Sequence, residues 1–398
     1  MNDRGKNTLD NESRISARLK SLDRYVFHGV AEAKRKALAS GKDIIDLGGG
    51  NPDLPPHPKV VEALKEAADS PELHRHPIYE GLPELRKAVA SWMKRRFDLD
   101  FDAESEVLIL IGSKEGIAHV SWAFVDPGDV ALISDPAYPP YRRNVILAGG
   151  KPVLMPLLKQ NRWLPDFDRI SKEDLKKAKL LFLNYPNNPT GALADREFLQ
   201  KAVDFAKEYE IIVCQDMAYS EITFDDTKSE SILTIEGAKE RCLEFFSFSK
   251  TYGMTGWRLG WVVGDSRLID VLGQMEVNVN SGVFHVLQKA ACVALLLEDR
   301  DVDTVRQTYQ ERRDVLVKGL RNLEWEVKNP KGSIFVWAKI PYDLDSNKMA
   351  NLLIEQTGIV TTPGAGLGPT GEGYLRFSLI EDKERLKEAV DRMKKLKL

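Results

Sequence analysis

The sequence predicts an α/β protein: a large domain on a mostly parallel sheet flanked by helices, plus a smaller α+β domain drawn from both termini. Three observations predict it. Through the middle of the chain, short continuous apolar runs alternate with amphipathic helical patterns, as in sheets covered on both faces. One long charged helical pattern, Asp301–Leu323, ends that alternation and leads into a different arrangement. The chain has 398 residues, 43% hydrophobic and 29% charged, enough for a large buried core and for two or three domains.

Residues 1–15, rich in Asn, Asp, Arg and Lys, read as a frayed terminus. A helical pattern over Val26–Ala39 is stopped by Gly41. A short strand from Asp43 to Leu47 then runs into Gly48-Gly49-Gly50-Asn51-Pro52. Further strands are expected at Val107–Ile111, Val130–Ser134, Lys179–Leu183, Ile211–Gln215, Leu243–Phe248 and Leu259–Val263. Helical patterns at Pro83–Arg96, Lys114–Phe124 and Asp195–Tyr209 separate several of them. After Asp301–Leu323 come Gly332–Ile340, two more helical patterns and the strand-like Tyr374–Leu379. The charge-rich runs Lys172–Lys179 and Lys394–Leu398 read as solvated helix faces. The expected division is 1–50 as the N-terminal part of the small domain, 51–300 as the large domain, and 301–398 as the C-terminal small domain.

A formal net charge of −3 argues against the broad basic footprint that duplex nucleic acid requires. Cys214, Cys242 and Cys292 form no C-x-x-C, which suits a reduced, cytoplasmic protein. Of the six histidines only His74 and His76 are close, so no metal site is expected. Met1–Arg14 lacks the apolar segment of a signal peptide, and no run approaches the roughly 18 apolar residues of a membrane helix.

In an open parallel sheet, ligands bind beyond the carboxyl ends of the strands, so the polar residues there are the candidates for chemistry. Ser249-Lys250-Thr251-Tyr252-Gly253 follows one run. Most lysines are surface charges, but Lys250 follows the aromatic Phe245-Phe246-Ser247-Phe248. Partial burial disfavours an ammonium and leaves an amine able to attack an aldehyde. Eight positions on, Arg258 in Trp257-Arg258-Leu259-Gly260-Trp261 suits a phosphate. Asp216, with Tyr219 three residues later, ends another run, where a lone carboxylate could simply cap a helix.

Asn184-Tyr185-Pro186-Asn187-Asn188-Pro189-Thr190-Gly191 contains ordinary turn residues that could equally be a binding loop. Gly112-Ser113-Lys114-Glu115-Gly116 opens a helix whose free amides could hold a phosphate, although many such turns bind nothing. Tyr138, in Asp135-Pro136-Ala137-Tyr138, is a buried aromatic or a stacking platform. Arg376 sits in the apolar Tyr374-Leu375-Arg376-Phe377-Ser378, where an unpaired charge is costly; it serves a structural ion pair or a ligand clamp.

Ser247-Phe248-Ser249-Lys250 through Gly256-Trp257-Arg258-Leu259-Gly260 resembles the lysine signature of the class I/II aminotransferases, the fold-type I pyridoxal-phosphate (PLP) enzymes. The resemblance runs in order from about Asp43 to Leu379. It implies the fold-type I PLP-transferase architecture, PLP as cofactor, and a homodimer with sites at the two-fold interface. By the same resemblance, Lys250 holds PLP as a Schiff base, and Ser113, Lys114, Ser247 and Arg258 bind its phosphate. Asp216 meets the ring nitrogen, Tyr219 and Asn188 meet the phenolic oxygen, and Tyr138 stacks on the ring. Arg376 clamps the substrate α-carboxylate, with Asn188 and the backbone of Gly50 beside it. Lys250, Asp216 and Tyr219 are the implied catalytic set. One position departs: where the family places a tyrosine reaching the partner's phosphate, five residues before Gly81, this chain has His76, with Tyr79 nearby.

The implied reaction moves an amino group between an L-amino acid and a 2-oxo acid with ping-pong kinetics. Gly112 to Ile117 with Ser249 to Arg258 most resembles the branch holding LL-diaminopimelate, alanine and aspartate aminotransferases. Asn278–His285 carries no arginine of the kind aspartate-specific members use as a side-chain clamp. The expected order is a broad enzyme with glutamate/2-oxoglutarate as one pair, then LL-diaminopimelate, then alanine or aspartate. A β-lyase or decarboxylase on the same fold is the alternative. A PLP-sensing regulator domain fits less well, because the roughly 45 residues before the first motif carry no basic helix-turn-helix pattern.

Overall fold

Apolar runs bounded by glycine, proline and polar residues become the strands of three sheets in the computed structural model, which describes residues 14–22 and 26–397. The expected frayed terminus, residues 1–15, lies outside the described residues except for Arg14 and Ile15. The expected strand at Asp43–Leu47 is reduced to a two-residue strand, β1 (Ile45–Asp46). The large sheet contains β2 (Val107–Leu110), β3 (Val130–Asp135), β4 (Lys151–Pro156), β5 (Ala178–Asn184), β6 (Ile212–Asp216), β7 (Cys242–Ser247) and β8 (Gly260–Gly264). The C-terminal part adds β9 (Glu326–Val327), β10 (Phe335–Lys339), β11 (Ile359–Val360), β12 (Thr362–Pro363) and β13 (Tyr374–Ser378).

The large sheet has the order β2-β8-β7-β6-β5-β3-β4. Its pairs are parallel from β7 through β6, β5 and β3 to β4, and antiparallel where β8 meets β7 and β2. Alternate residues of each strand enter different cores, as the two-residue period demands. Val130 and Leu132 of β3 join one apolar cluster, Ala131 and Ile133 the other; Leu181 and Leu183 of β5 divide from Leu180 and Phe182 in the same way. Every residue of β2, β3 and β8 is buried, which explains why these runs, up to Ser134-Asp135 at the end of β3, carry no alternating polar residues.

β4 was hidden in the sequence by Pro152 and Pro156. It occupies an edge, the one place where a strand tolerates missing amide donors. Lys172–Lys179 is not one helix face: a single turn, Lys172–Leu175, precedes β5, which holds Lys179. Lys394 and its neighbours follow the end of the helix Lys383–Met393 rather than forming a face of it.

The smaller sheet, β12-β13-β10-β9, is antiparallel, and β1 pairs in parallel with β11. Its core combines Ile45 and Leu47 with Leu316 and Leu320 of the helix Asp299–Asn322 and with Phe377 and Leu386. Among the described residues no helix is long and apolar enough to cross a membrane.

Candidate active site

The strand ends converge on a cavity of about 330 Å³, within the range of cofactor pockets. Asn184 ends β5, Asp216 ends β6 and Ser247 ends β7. β8 runs the other way, so its beginning lies at the same edge: Gly260 pairs with both Ser247 and Leu110. Arg258, which precedes β8, is thereby brought beside the turn following β2. All eleven residues singled out from the sequence line the cavity: Gly50, Ser113, Lys114, Tyr138, Asn188, Asp216, Tyr219, Ser247, Lys250, Arg258 and Arg376.

The run expected as strand to Phe248 stops at Ser247, whose Oγ accepts from the Ser249 amide and starts a one-turn helix, Phe248–Thr251. That turn carries Lys250. Its footing is aromatic: Phe248 packs on Trp261 with centroids 4.9 Å apart, and Trp261 stacks on Phe246 at 5.0 Å. Such pairs add about 0.5–1.5 kcal/mol each beyond area burial, so the floor beneath the lysine is rigid. The Lys250 Nζ donates to the Gly50 carbonyl at 2.5 Å. Burial, then the charges of Arg376 and Arg258, push its pKa down to about 8, against the opposing pull of Asp216.

Asp216 is 5% exposed. Its Oδ2 accepts from the Tyr141 hydroxyl at 2.8 Å and its Oδ1 from the Ala218 amide at 3.0 Å. Burial raises its pKa to about 6, while these two donors and Lys250 oppose the rise. A buried carboxylate aimed into a cavity calls for a cationic partner there. Burial likewise raises the Tyr219 phenol, with the Arg376 charge opposing.

Arg376 is 1% exposed. Its guanidinium donates to Asn188 Oδ1 at 3.0 Å, to the Gly48 carbonyl at 2.9 Å and to Thr362 Oγ1 at 3.2 Å, and lies 4.1 Å above the Phe335 ring. Asn188 is itself held through its amide by Asn184 Oδ1 at 2.8 Å. Among the described residues, hydrogen bonds to neutral oxygens and a ring face position this arginine, and its planar fork suits an incoming anion.

At the opposite end Gly112, the N-cap of the helix Ser113–Phe124, has φ +78° and brings no side chain to the first-turn amides. A Cβ there would stand 2.7 Å from Arg258 Nη2, so only glycine leaves the guanidinium its place. Lys114 is exposed at the rim; partial desolvation and the charges of Arg258 and Arg143 lower its pKa. Two cationic side chains, serine hydroxyls and free helix amides at one end, with a buried carboxylate at the other, match PLP's phosphate and its ring nitrogen. The residues fit that cofactor.

Several participants escaped the sequence. Tyr141 follows Tyr138 by three positions, just inside the helix Pro140–Ala148, a closeness that could have paired them. Asn184 ends its strand as Asp216 ends the next, a position that could have flagged it. Arg143 and Phe335 carried no local signal. His76 is exposed with its ring edge on Tyr79 at 5.7 Å, and neither lines the cavity.

Residues 42–393 match the family model described as aminotransferase class I and II. An LL-diaminopimelate aminotransferase of Aquifex aeolicus is 48% identical, over 96% of this chain and 99% of that protein. One of Halothermothrix orenii is 45% identical, over 95% and 97%. Among solved structures, substrate-bound BacF from Bacillus subtilis superposes with TM-score 0.93 at 39% identity, covering 96% of this chain and 98% of that one. A Thermus thermophilus aspartate aminotransferase double mutant reaches 0.90 at 26%, covering 96% and 99%.

Proposed function

The chain belongs to the class I and II aminotransferases, PLP-dependent enzymes, and on that premise we propose that it transfers the amino group of LL-diaminopimelate to 2-oxoglutarate. The single observation that carries the chemistry is the Lys250 amine, held at the Gly50 carbonyl in a cavity shared with Asp216 and Arg376. Two further points favour a long donor. The relatives at 45–48% identity carry the LL-diaminopimelate name. A neighbouring hollow of about 600 Å³ shares Tyr138 with the site and offers room for an extended side chain.

PLP, when bound, supplies the electron sink that makes an α-proton removable. The protein's own groups do the rest. Arg376 binds the α-carboxylate as a two-pronged donor and fixes which face of the Cα turns to Lys250. The Lys250 amine, poised near neutrality, takes the α-proton and returns it on the other side of the exchange. Asp216, favoured in its ionised form by the Tyr141 and Ala218 donors, would keep a proton on the cofactor's ring nitrogen. The Tyr219 hydroxyl and the Asn188 amide orient the ring's phenolic oxygen, and Tyr138 covers its face. Arg258, Lys114, Ser113 and Ser247 anchor the phosphate.

We further infer a cytoplasmic homodimer and the division 1–50, 51–300 and 301–398. Ile78, Val277, Val279 and Phe284, each 40–49% exposed, supply apolar surface for self-association. The decisive experiment is a panel of amino donors and oxo-acid acceptors with the purified protein. Glutamate formation from LL-diaminopimelate and 2-oxoglutarate is expected. Failure of that pair, with turnover of alanine or aspartate, refutes the substrate assignment; ammonia and pyruvate without an acceptor would mean a lyase.

A further inference from the structure

Behind the phosphate end of the cavity lies a half-buried carboxylate that the mechanism leaves unused. Glu115, third residue of the helix Ser113–Phe124, accepts at Oε2 from the Ile111 amide at 2.7 Å, reaching back across the turn that presents Ser113 and Lys114. Its Oε1 accepts from Asn280 Nδ2, also at 2.7 Å. The same amide nitrogen donates to Glu276 Oε2 at 2.5 Å, and Asn280 Oδ1 accepts from the Gly282 amide at 2.6 Å. Gly282 is pressed against the next segment: a Cβ there would lie 2.9 Å from the Ile78 carbonyl oxygen. One carboxylate and one amide thus join the phosphate turn, the end of the helix Ser266–Val279 and the backbone at Ile78–Tyr79.

The donor atoms of Glu115, His119 and Glu276 lie within 4.8 Å of one another, a spacing that could hold a metal ion. Asn280, however, already aims its amide hydrogens at both carboxylates, where a cation would have to sit. A hydrogen-bonded clasp accounts for that arrangement better. The titratable groups facing Glu115 are His119 on its own helix and Glu276 on the helix Ser266–Val279. His119 Nδ1 stands 3.4 Å from Glu276 Oε1.

We propose that Glu115 is a positioning residue for the PLP phosphate: its ionised carboxylate ties the Ile111 amide to Asn280 and so sets the turn that aims Ser113 and Lys114. The inference rests on the reading of the cavity as the PLP site. Both carboxylate oxygens meet donors, so the role requires two acceptors. A glutamine, or a protonated glutamate, turns a donor toward one of the two and leaves that pair mismatched. Burial, then the nearby Glu276, raises the Glu115 pKa to about 7. Protonation below that value therefore imitates the amide.

The test is the PLP dissociation constant of the full-length holoenzyme, read from cofactor absorbance between pH 6 and pH 9 (about one unit below the raised value and two above it), for wild type and Glu115→Gln. A roughly tenfold weaker hold is expected above pH 8, from one mismatched, half-buried hydrogen bond. The ratio of the two constants should shrink toward one near pH 6. The same hold at every pH overturns the proposal, as does a pH-independent ratio accompanied by a lower melting temperature. If Glu115→Gln does not fold, Asn280→Ala carries the test: PLP affinity should fall several-fold, and wild-type affinity in that variant overturns the proposal. A wild-type protein that takes up no PLP through Lys250 would instead sink the cofactor site itself.

Discussion

Replacing Lys250 with methionine should make the cofactor-free protein more resistant to heat while abolishing transamination. Burial and two neighbouring arginines push the lysine from its ordinary 10.5 down to about 8. At about 1.4 kcal/mol per tenfold, keeping an ammonium there costs about 3 kcal/mol. Losing the bond to Gly50 offsets about 1.5 kcal/mol of the relief, so about 1.5 kcal/mol of net stabilisation remains. That corresponds to a rise of about 2–4 °C in melting temperature.

The sign with pH follows from proton counting. Between pH 8 and 10.5 the unfolded chain holds this proton and the folded chain does not, so wild-type stability climbs across that window. Below pH 8 the full cost is present. The advantage of Lys250→Met should therefore be greatest near pH 7, disappear within that window and turn into a disadvantage by pH 10.5, where only the lost bond remains. Thermal melts of both cofactor-free proteins at the two pH values check this. A variant no more stable at pH 7, or one equally favoured at both, refutes the argument that this amine is held under electrostatic stress.

Three further outcomes are expected. Tyr141→Phe removes one donor from Asp216, whose pKa of about 6 should rise further; the acid limb of kcat/KM should move to higher pH, as a pH–rate profile would register. Arg376→Lys replaces a two-pronged donor with a point charge, so KM for the amino donor should rise about 10–100-fold while the absorbance of bound PLP stays unchanged; an unaltered KM would remove Arg376 from the substrate site. Arg258→Ala, at an exposed position, should weaken PLP binding about 10–100-fold and leave the melting temperature of the cofactor-free protein within about 1 °C, since surface changes rarely cost more.

The sheet was legible because its strands are buried on both faces. A run such as Val130–Ser134 has no polar residue before its end, and Ser113 and Asp216 each follow such a run. β4 was not legible, because its prolines argue against a strand unless its edge position is known. Asp43–Leu47 was overextended because only Ile45 and Asp46 pair in strand register, with β11 far along the chain. Side chains that meet across long separations left no local mark: Tyr141 reaches Asp216 over 75 positions and Glu115 reaches Asn280 over 165. Arg376 looked like a costly buried charge. Its partners among the described residues include carbonyl, hydroxyl and amide oxygens and an aromatic face, none of which a search for acidic residues would find.

The three consecutive carbonyls at Gly48, Gly49 and Gly50 receive Arg376, Ser378 and Lys250 in turn. A main-chain oxygen is present whatever residue occupies the position, so no single substitution can delete these acceptors. Mutation can act on them only through bulk: a methyl at position 48 would meet Val360 at 2.9 Å, and one at 50 would meet Phe335 at 3.3 Å. Natural drift along this ribbon is thus filtered by shape rather than by polarity. Changes in which amino acid is accepted must arise in the surrounding walls, while the floor keeps both the reacting amine and the anion clamp in register.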